Sequence, residues 1–258
     1  MGTDSTTDIR IVLVEPSHPG NIGAAARAMM NMDLRQLVLV RPREFPHPEA
    51  TARAAGAECV LASARVVGTL EEAIADCGFV AATTSRNRDQ NYRVLDVQQA
   101  AVRAVAESRR APVALLFGAE RTGLMNEHLE ASHVLLRIPA SSDYASLNLA
   151  MAVQLVSYEI FRARSAHGPA GATRETADAP LASPPQMQQL YAHLEQVLQE
   201  IDFKDRTKAG THLMSRIRRF LQRAELDLNE VNILRGILTA IQNRRRMAGA
   251  AHVPKADS

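Results

Sequence analysis

The chain has 258 residues, 46% of them apolar, a net charge of +2 and only two cysteines, Cys59 and Cys77. That length suits one domain of ordinary size plus something smaller, and no apolar run is long enough to span a bilayer. Two cysteines outside any CxxC pair exclude a disulfide scaffold, and the first eight residues are polar with no basic start, so a reduced, cytoplasmic setting is expected.

Short apolar, β-branched runs bounded by turn residues predict buried strands at Ile9–Val14, Leu37–Val40, Phe79–Thr83, Val113–Phe117 and Val134–Ile138, with a weaker one around Cys59–Leu61. Helical patterns fall between them, at Ile22–Met32, Pro48–Ala55, Leu70–Ala75, Val97–Ser108 and Leu147–Arg164. Strands alternating with helices predict an α/β fold, a mostly parallel sheet with helices on both faces. Residues 165–185, rich in Ala, Gly, Pro, Ser and Thr, read as a flexible linker. Beyond it Gln186–Ile201 is helical, and Gly210–Ala224 and Asn229–Arg246 suggest an antiparallel pair. The first of the pair has an apolar face of Leu213, Ile217, Phe220, Leu221 and Ala224, and Asp227 with Glu230 has capping-box spacing for the second. The organisation expected is therefore a domain over 1–164, the linker, and a helical extension over 186–250.

Charge is unevenly spread. Residues 1–164 hold 17 Arg, no Lys and 18 acids, whereas residues 203–246 hold 11 Lys plus Arg against 4 acids. Basic charge concentrated in a small region is what a polyanion binder needs, and a solvated helical surface is the equal alternative. Arg216, Arg219 and Arg223 form its regular stripe.

Three stretches share a design: each follows a predicted strand and combines small residues with one or two polar side chains. In open α/β sheets such loops line a crevice past the carboxyl ends of the strands. The first, Asn21-Ile-Gly23-Ala-Ala-Ala-Arg27, opens a helix whose amides suit a phosphate or other anion. It lacks GxGxxG, and Arg41 stands where a ribose-binding acid belongs, which disfavours a nicotinamide-dependent oxidoreductase. Arg27, one turn in, offers an always-charged fork to phosphate or a ribose oxygen. In the second, Phe117-Gly118-Ala-Glu120-Arg-Thr-Gly123-Leu124, Gly118 permits close approach of a ligand or backbone and Gly123 suits a left-handed turn. Glu120 is either a site residue or a cap for a helix starting near Asn126. In the third, Pro139 ends a strand, and a polar loop leads to a helix whose first turn carries Ser146 and Asn148. Serine suits an N-cap, whereas asparagine inside a helix is unfavourable and suggests a functional role.

On these residues the chain resembles the SPOUT superfamily of RNA methyltransferases, in the branch that methylates ribose 2′-oxygens. Asn21, Gly23 and Arg27 match its first motif, Phe117-Gly118, Glu120 and Gly123-Leu124 its second, and Pro139, Ser146, Leu147 and Asn148 its third. Glu15-Pro-Ser-His18, the run Tyr144–Val153 and the helical extension narrow the likeness to the bacterial tRNA (cytidine/uridine-2′-O)-methyltransferases of the anticodon loop. The resemblance implies a C-terminal trefoil knot, S-adenosylmethionine as methyl donor without a metal, a homodimer, and tRNA as substrate. It implies cofactor contacts from Thr83, Thr84, Ser85, Gly118, Ile138, Ala145, Ser146 and Leu147. It assigns catalysis to Arg27 with Asn21, Glu120, Ser146 and Asn148, and RNA contacts to Arg27 and Tyr144, with Arg216, Arg219 and Arg223 in the extension. A related enzyme acting on ribosomal RNA or another tRNA position, or a non-catalytic RNA-binding protein, would carry a similar pattern.

Overall fold

Ile9–Val14 (β1) is buried at every position, with Ile9, Ile11 and Leu13 in one apolar cluster and Val12 and Val14 in another on the opposite face. A strand apolar on both faces belongs inside a sheet covered on both sides. The structure is a computed structural model describing residues 8–84, 92–141, 143, 145–166, 180–203 and 213–250, the last six by their backbone alone. Its seven strands are all parallel, in the order β3-β2-β1-β6-β4-β7-β5. They are β1, Gln36–Val40 (β2), Arg65–Val67 (β3), Phe79–Thr83 (β4), Val94–Asp96 (β5), Val113–Phe117 (β6) and Val134–Arg137 (β7).

One face is covered by Pro19–Asn31 (α1), Pro48–Ala54 (α2), Glu58–Ala62 (α3), Val97–Glu107 (α5) and Leu149–Ala166 (α7). The other is covered by Leu70–Ile74 (α4) and Asn126–Glu130 (α6). Gly23 lets α1 lie directly on α2, because a Cβ there would collide with the Ala50 carbonyl. The α/β expectation holds, with two local differences. Cys59–Leu61 belongs to α3 rather than a strand: Val60 and Leu61 are buried and Cys59 exposed, so a helical turn buries the apolar pair. The three-residue edge strands β3 and β5, with exposed Arg65, Val66, Val94 and Asp96, carry too little apolar signal to be foreseen.

The extension comprises Pro184–Glu200 (α8), Leu213–Ala224 (α9) and Leu228–Ala250 (α10), with a core of Leu190, Tyr191, Val197, Leu221, Val231 and Leu238. The Asp227–Glu230 capping box is formed, at 2.8 and 2.9 Å. The expected α9–α10 pairing differs: α10 packs chiefly on α8, because α9 is engaged with the first domain. There the Gln222 amide nitrogen donates to the carbonyls of Leu129, Glu130 and Ser132. Phe220, expected on the apolar face, is 48% exposed. Glu225 is clasped by Arg93 and Arg103, Arg218 pairs with Glu130, and His133 bonds to the Ala182 carbonyl. Burial pushes the His133 pKa down, so the ring is neutral and donates from Nε2 while Nδ1 accepts from the Val80 amide. These contacts fix the extension at the amino ends of β4, β5 and β7. Within the expected linker, Leu181 bridges to Asp227 and Ala182 is buried, while residues 167–179 lie outside the described residues.

Candidate active site

The carboxyl ends of β1, β6, β4 and β7 are neighbours in the sheet, which brings the three motif loops to one end of it. Past β6 the chain doubles back: the Gly123 amide donates to the Ala119 carbonyl at 2.8 Å, with Gly123 in the left-handed region at φ 67°. A Cβ on Gly118 would collide with the backbone of Gly123 and Leu124. The close approach expected at Gly118 is thus to another stretch of backbone. Around this loop lies a cleft of about 320 Å³, within the range of small-molecule sites.

Thr83, Thr84, Gly118, Ile138, Ala145, Ser146 and Leu147, seven of the residues expected to hold a cofactor, all line this cleft. Ser85, the eighth, lies outside the described residues, as does Tyr144. Phe117, Leu124, Leu129 and Leu149 supply apolar wall. The Thr83 hydroxyl donates to the Leu116 carbonyl at 2.9 Å, pinning the end of β4 to β6. Among the described residues no group of three or more His, Cys, Asp or Glu side chains is placed to hold a metal ion.

Glu120 joins the cleft to α1. Its Oε2 accepts from the Ser17 amide at 2.9 Å and the Ser17 hydroxyl at 2.7 Å, and its Oε1 from the His18 amide at 3.2 Å and Asn21 Nδ2 at 2.8 Å. Burial alone would raise its pKa; the bonds from Asn21 and Ser17 outweigh that and hold it near about 2. An ionised carboxylate only accepts, so the Asn21 amide must turn its nitrogen to Glu120 and its oxygen away. Asn148 Nδ2 donates to that oxygen at 3.0 Å, and Asn148 Oδ1 accepts from the Ala150 amide at 2.9 Å. One anion thereby sets the orientation of two amides distant in sequence.

Three expectations change here. The anion held by the amides leading into α1 is Glu120 itself, so that turn is not a free phosphate cradle. Nor does Glu120 cap α6, where the Met125 amide donates to His128 Nδ1 instead. Ser146 and Asn148 precede α7 rather than lying in its first turn; Asn148 is the cap, where asparagine is favoured. Ser17 and His18, the donors that fix Glu120, were not singled out for that role. The readable signal was a polar pair before Pro19, the pattern of a capped helix with proline first, and His18 is indeed the cap of α1.

Arg27 stands apart. It is exposed on α1, six residues and about 9 Å of helix rise beyond Asn21, and does not line the cleft. Among the described residues it has no ion pair. In the extension Arg216 and Arg223 are exposed, whereas Arg219 is half-buried with its guanidinium 5.8 Å from the centroid of the Tyr92 ring.

Residues 8–158, more than half of the chain, match the SpoU rRNA Methylase family. The chain belongs to that family. Residues 185–252 match the C-terminal domain of the tRNA methyltransferase TrmJ. This SpoU methylase is 44% identical over 238 residues to the tRNA (cytidine/uridine-2′-O-)-methyltransferase TrmJ of Yersinia pestis (strain Pestoides F), an alignment covering 92% of each chain. It is 43% identical over 239 residues to the Escherichia coli O6:K15:H31 protein of the same name, covering 93% of this chain and 97% of that one. The crystal structure of TrmJ from Z. mobilis ZM4 superposes with a TM-score of 0.73 at 34% identity, covering 90% of this chain and 98% of that one.

Proposed function

We propose that this chain transfers a methyl group from S-adenosylmethionine to the 2′-oxygen of a cytidine or uridine ribose in the tRNA anticodon loop. The observation that carries the reading is the convergence of the residues expected to hold the cofactor on one cleft at the carboxyl ends of adjacent parallel strands. Family membership and near full-length similarity to relatives named as tRNA (cytidine/uridine-2′-O-)-methyltransferases support it. The cleft suits the cofactor by its small residues, its backbone groups and its apolar wall. Among the described residues no helix is long and apolar enough to cross a membrane.

S-adenosylmethionine supplies an electrophilic methyl on a sulfonium. The ribose oxygen would take that methyl and release its hydroxyl proton to solvent, leaving the donor as a neutral thioether. Glu120, with both oxygens engaged and its pKa near about 2, is a fixed anion that orients Asn21 and Asn148 rather than a proton acceptor. Ser146 lines the cleft. Arg27 is assigned to the RNA phosphate beside the reacting ribose and to stabilising the developing alkoxide.

Because Arg27 lies outside its own chain's cleft, the site is completed by a second copy. The surface for that contact is the exposed stripe Met151, Leu155, Tyr158 and Phe161 on α7, at helical spacing and next to the cleft residues that open the same helix. The domains divide as a catalytic unit over 1–164, a connector over 165–185 and a basic tRNA-binding extension over 186–250 that includes Arg216, Arg219 and Arg223. The trefoil knot of the superfamily is part of the same proposal, supported by a strand order in which β6 lies between β1 and β4. The test is Arg27→Ala assayed on an unmodified tRNA transcript with labelled S-adenosylmethionine. Methylation is abolished while cofactor affinity is kept; wild-type turnover would remove Arg27 from the mechanism.

A further inference from the structure

Glu120 and Arg121 are the only ionisable side chains among the residues lining the cleft, and they differ in what holds them. Glu120 has both oxygens engaged, by Ser17, His18 and Asn21. Arg121 is exposed, and among the described residues its guanidinium has neither an ion pair nor a hydrogen bond. Its backbone nevertheless has little freedom. Glu120 ties the preceding position to α1, and the 2.8 Å bond from the Gly123 amide to the Ala119 carbonyl closes the turn that contains Arg121. The close packing of Gly118 on Gly123 and Leu124 fixes the base of that turn. A cation with no partner of its own is thus carried on a fixed turn at the wall of the cleft, an arrangement that holds a charge ready for a ligand.

S-adenosylmethionine has one anionic group, the carboxylate of its amino-acid end, beside an ammonium and a sulfonium. A guanidinium fork matches a carboxylate with two parallel, charge-assisted N–H···O bonds. We propose that Arg121 recognises the methyl donor by pairing with that carboxylate. The inference rests on the cofactor reading above and adds an ionic contact to the backbone and apolar ones. An RNA phosphate is the other anion that reaches this site. A cleft of about 320 Å³ is filled by one molecule of the cofactor's size, so a side chain in its lining meets the cofactor first.

The test is calorimetric titration of the full-length protein with S-adenosylmethionine and with its decarboxylated analogue, which lacks only that carboxylate. Wild type binds S-adenosylmethionine at least about fivefold more tightly, a ratio that allows for solvent screening of an exposed arginine. Arg121→Gln removes the preference, weakening S-adenosylmethionine at least about fivefold without weakening the analogue, and Arg121→Lys restores part of it. Equal loss of both ligands in Arg121→Gln means that the residue only supports the loop, and overturns the proposal. So does unchanged affinity for S-adenosylmethionine; a slope of log tRNA affinity against log salt lower by about 1 in the same variant then gives the cation to an RNA phosphate. A wild-type protein that binds S-adenosylmethionine without preferring it to the analogue overturns this inference alone, whereas one that binds neither removes the cofactor reading as well.

Discussion

Glu120→Gln tests whether one fixed anion organises the site. The carboxylate accepts from four donors, two on each oxygen. Glutamine turns one oxygen into an amide nitrogen, which must face either the Ser17 pair or the His18 amide with Asn21. The displacement of the Glu120 pKa, from an ordinary 4.5 to about 2, corresponds to roughly 3 kcal/mol at about 1.36 kcal/mol per unit. The group is half-exposed, so solvent screening cuts this to about 1–2 kcal/mol. For a chain of this size that lowers Tm by roughly 3–6 °C. The sign follows from the depressed pKa: the stabilisation is full above pH 4.5 and disappears as pH falls toward about 2. Urea unfolding of wild type and Glu120→Gln across that range therefore shows a constant gap above about pH 5.5 that closes on acidification. A gap that is absent at neutral pH, or that widens in acid, refutes the reasoning.

Gly118→Ala forces a methyl into the backbone of Gly123 and Leu124. It weakens S-adenosylmethionine binding by at least about tenfold by calorimetry, through a loop that can no longer close on itself. Met151→Glu with Tyr158→Glu charges the exposed stripe of α7 and yields a monomer by sedimentation, with methylation lost and cofactor affinity retained. Arg216→Ala with Arg223→Ala removes two exposed cations from α9. It weakens tRNA binding and reduces the slope of log affinity against log salt by about 2, read by filter binding over a salt series.

The strands that carry the site were legible because they are central: β1, β4 and β6 are buried on both faces, and Gly118 and Gly123 after β6 mark where the chain doubles back. The edges were not, since Arg65–Val67 and Val94–Asp96 have one covered side and no apolar run. Resemblance to a family named cofactor residues, seven of which gather around one cleft. It gave no access to the chain Glu120–Asn21–Asn148, because hydrogen bonds across 99 and 127 residues leave no periodicity behind. The basic stripe shows the opposite failure. Its spacing was regular, yet docking against Tyr92 took Arg219 out of the exposed set, while Arg218, one position away, turned to Glu130.

The clasp between extension and catalytic unit mixes two chemistries with unlike responses to ions. Arg93, the exposed arm on Glu225, answers to electrolyte, whereas the Gln222 amide on backbone carbonyls is neutral and indifferent to it. Concentrated salt thus loosens chiefly the exposed Arg93 arm and leaves the less exposed Arg103 pair and the uncharged contacts to keep the helices in register. Loss of nucleic acid in brine then reports on phosphate contacts themselves, not on the extension swinging free.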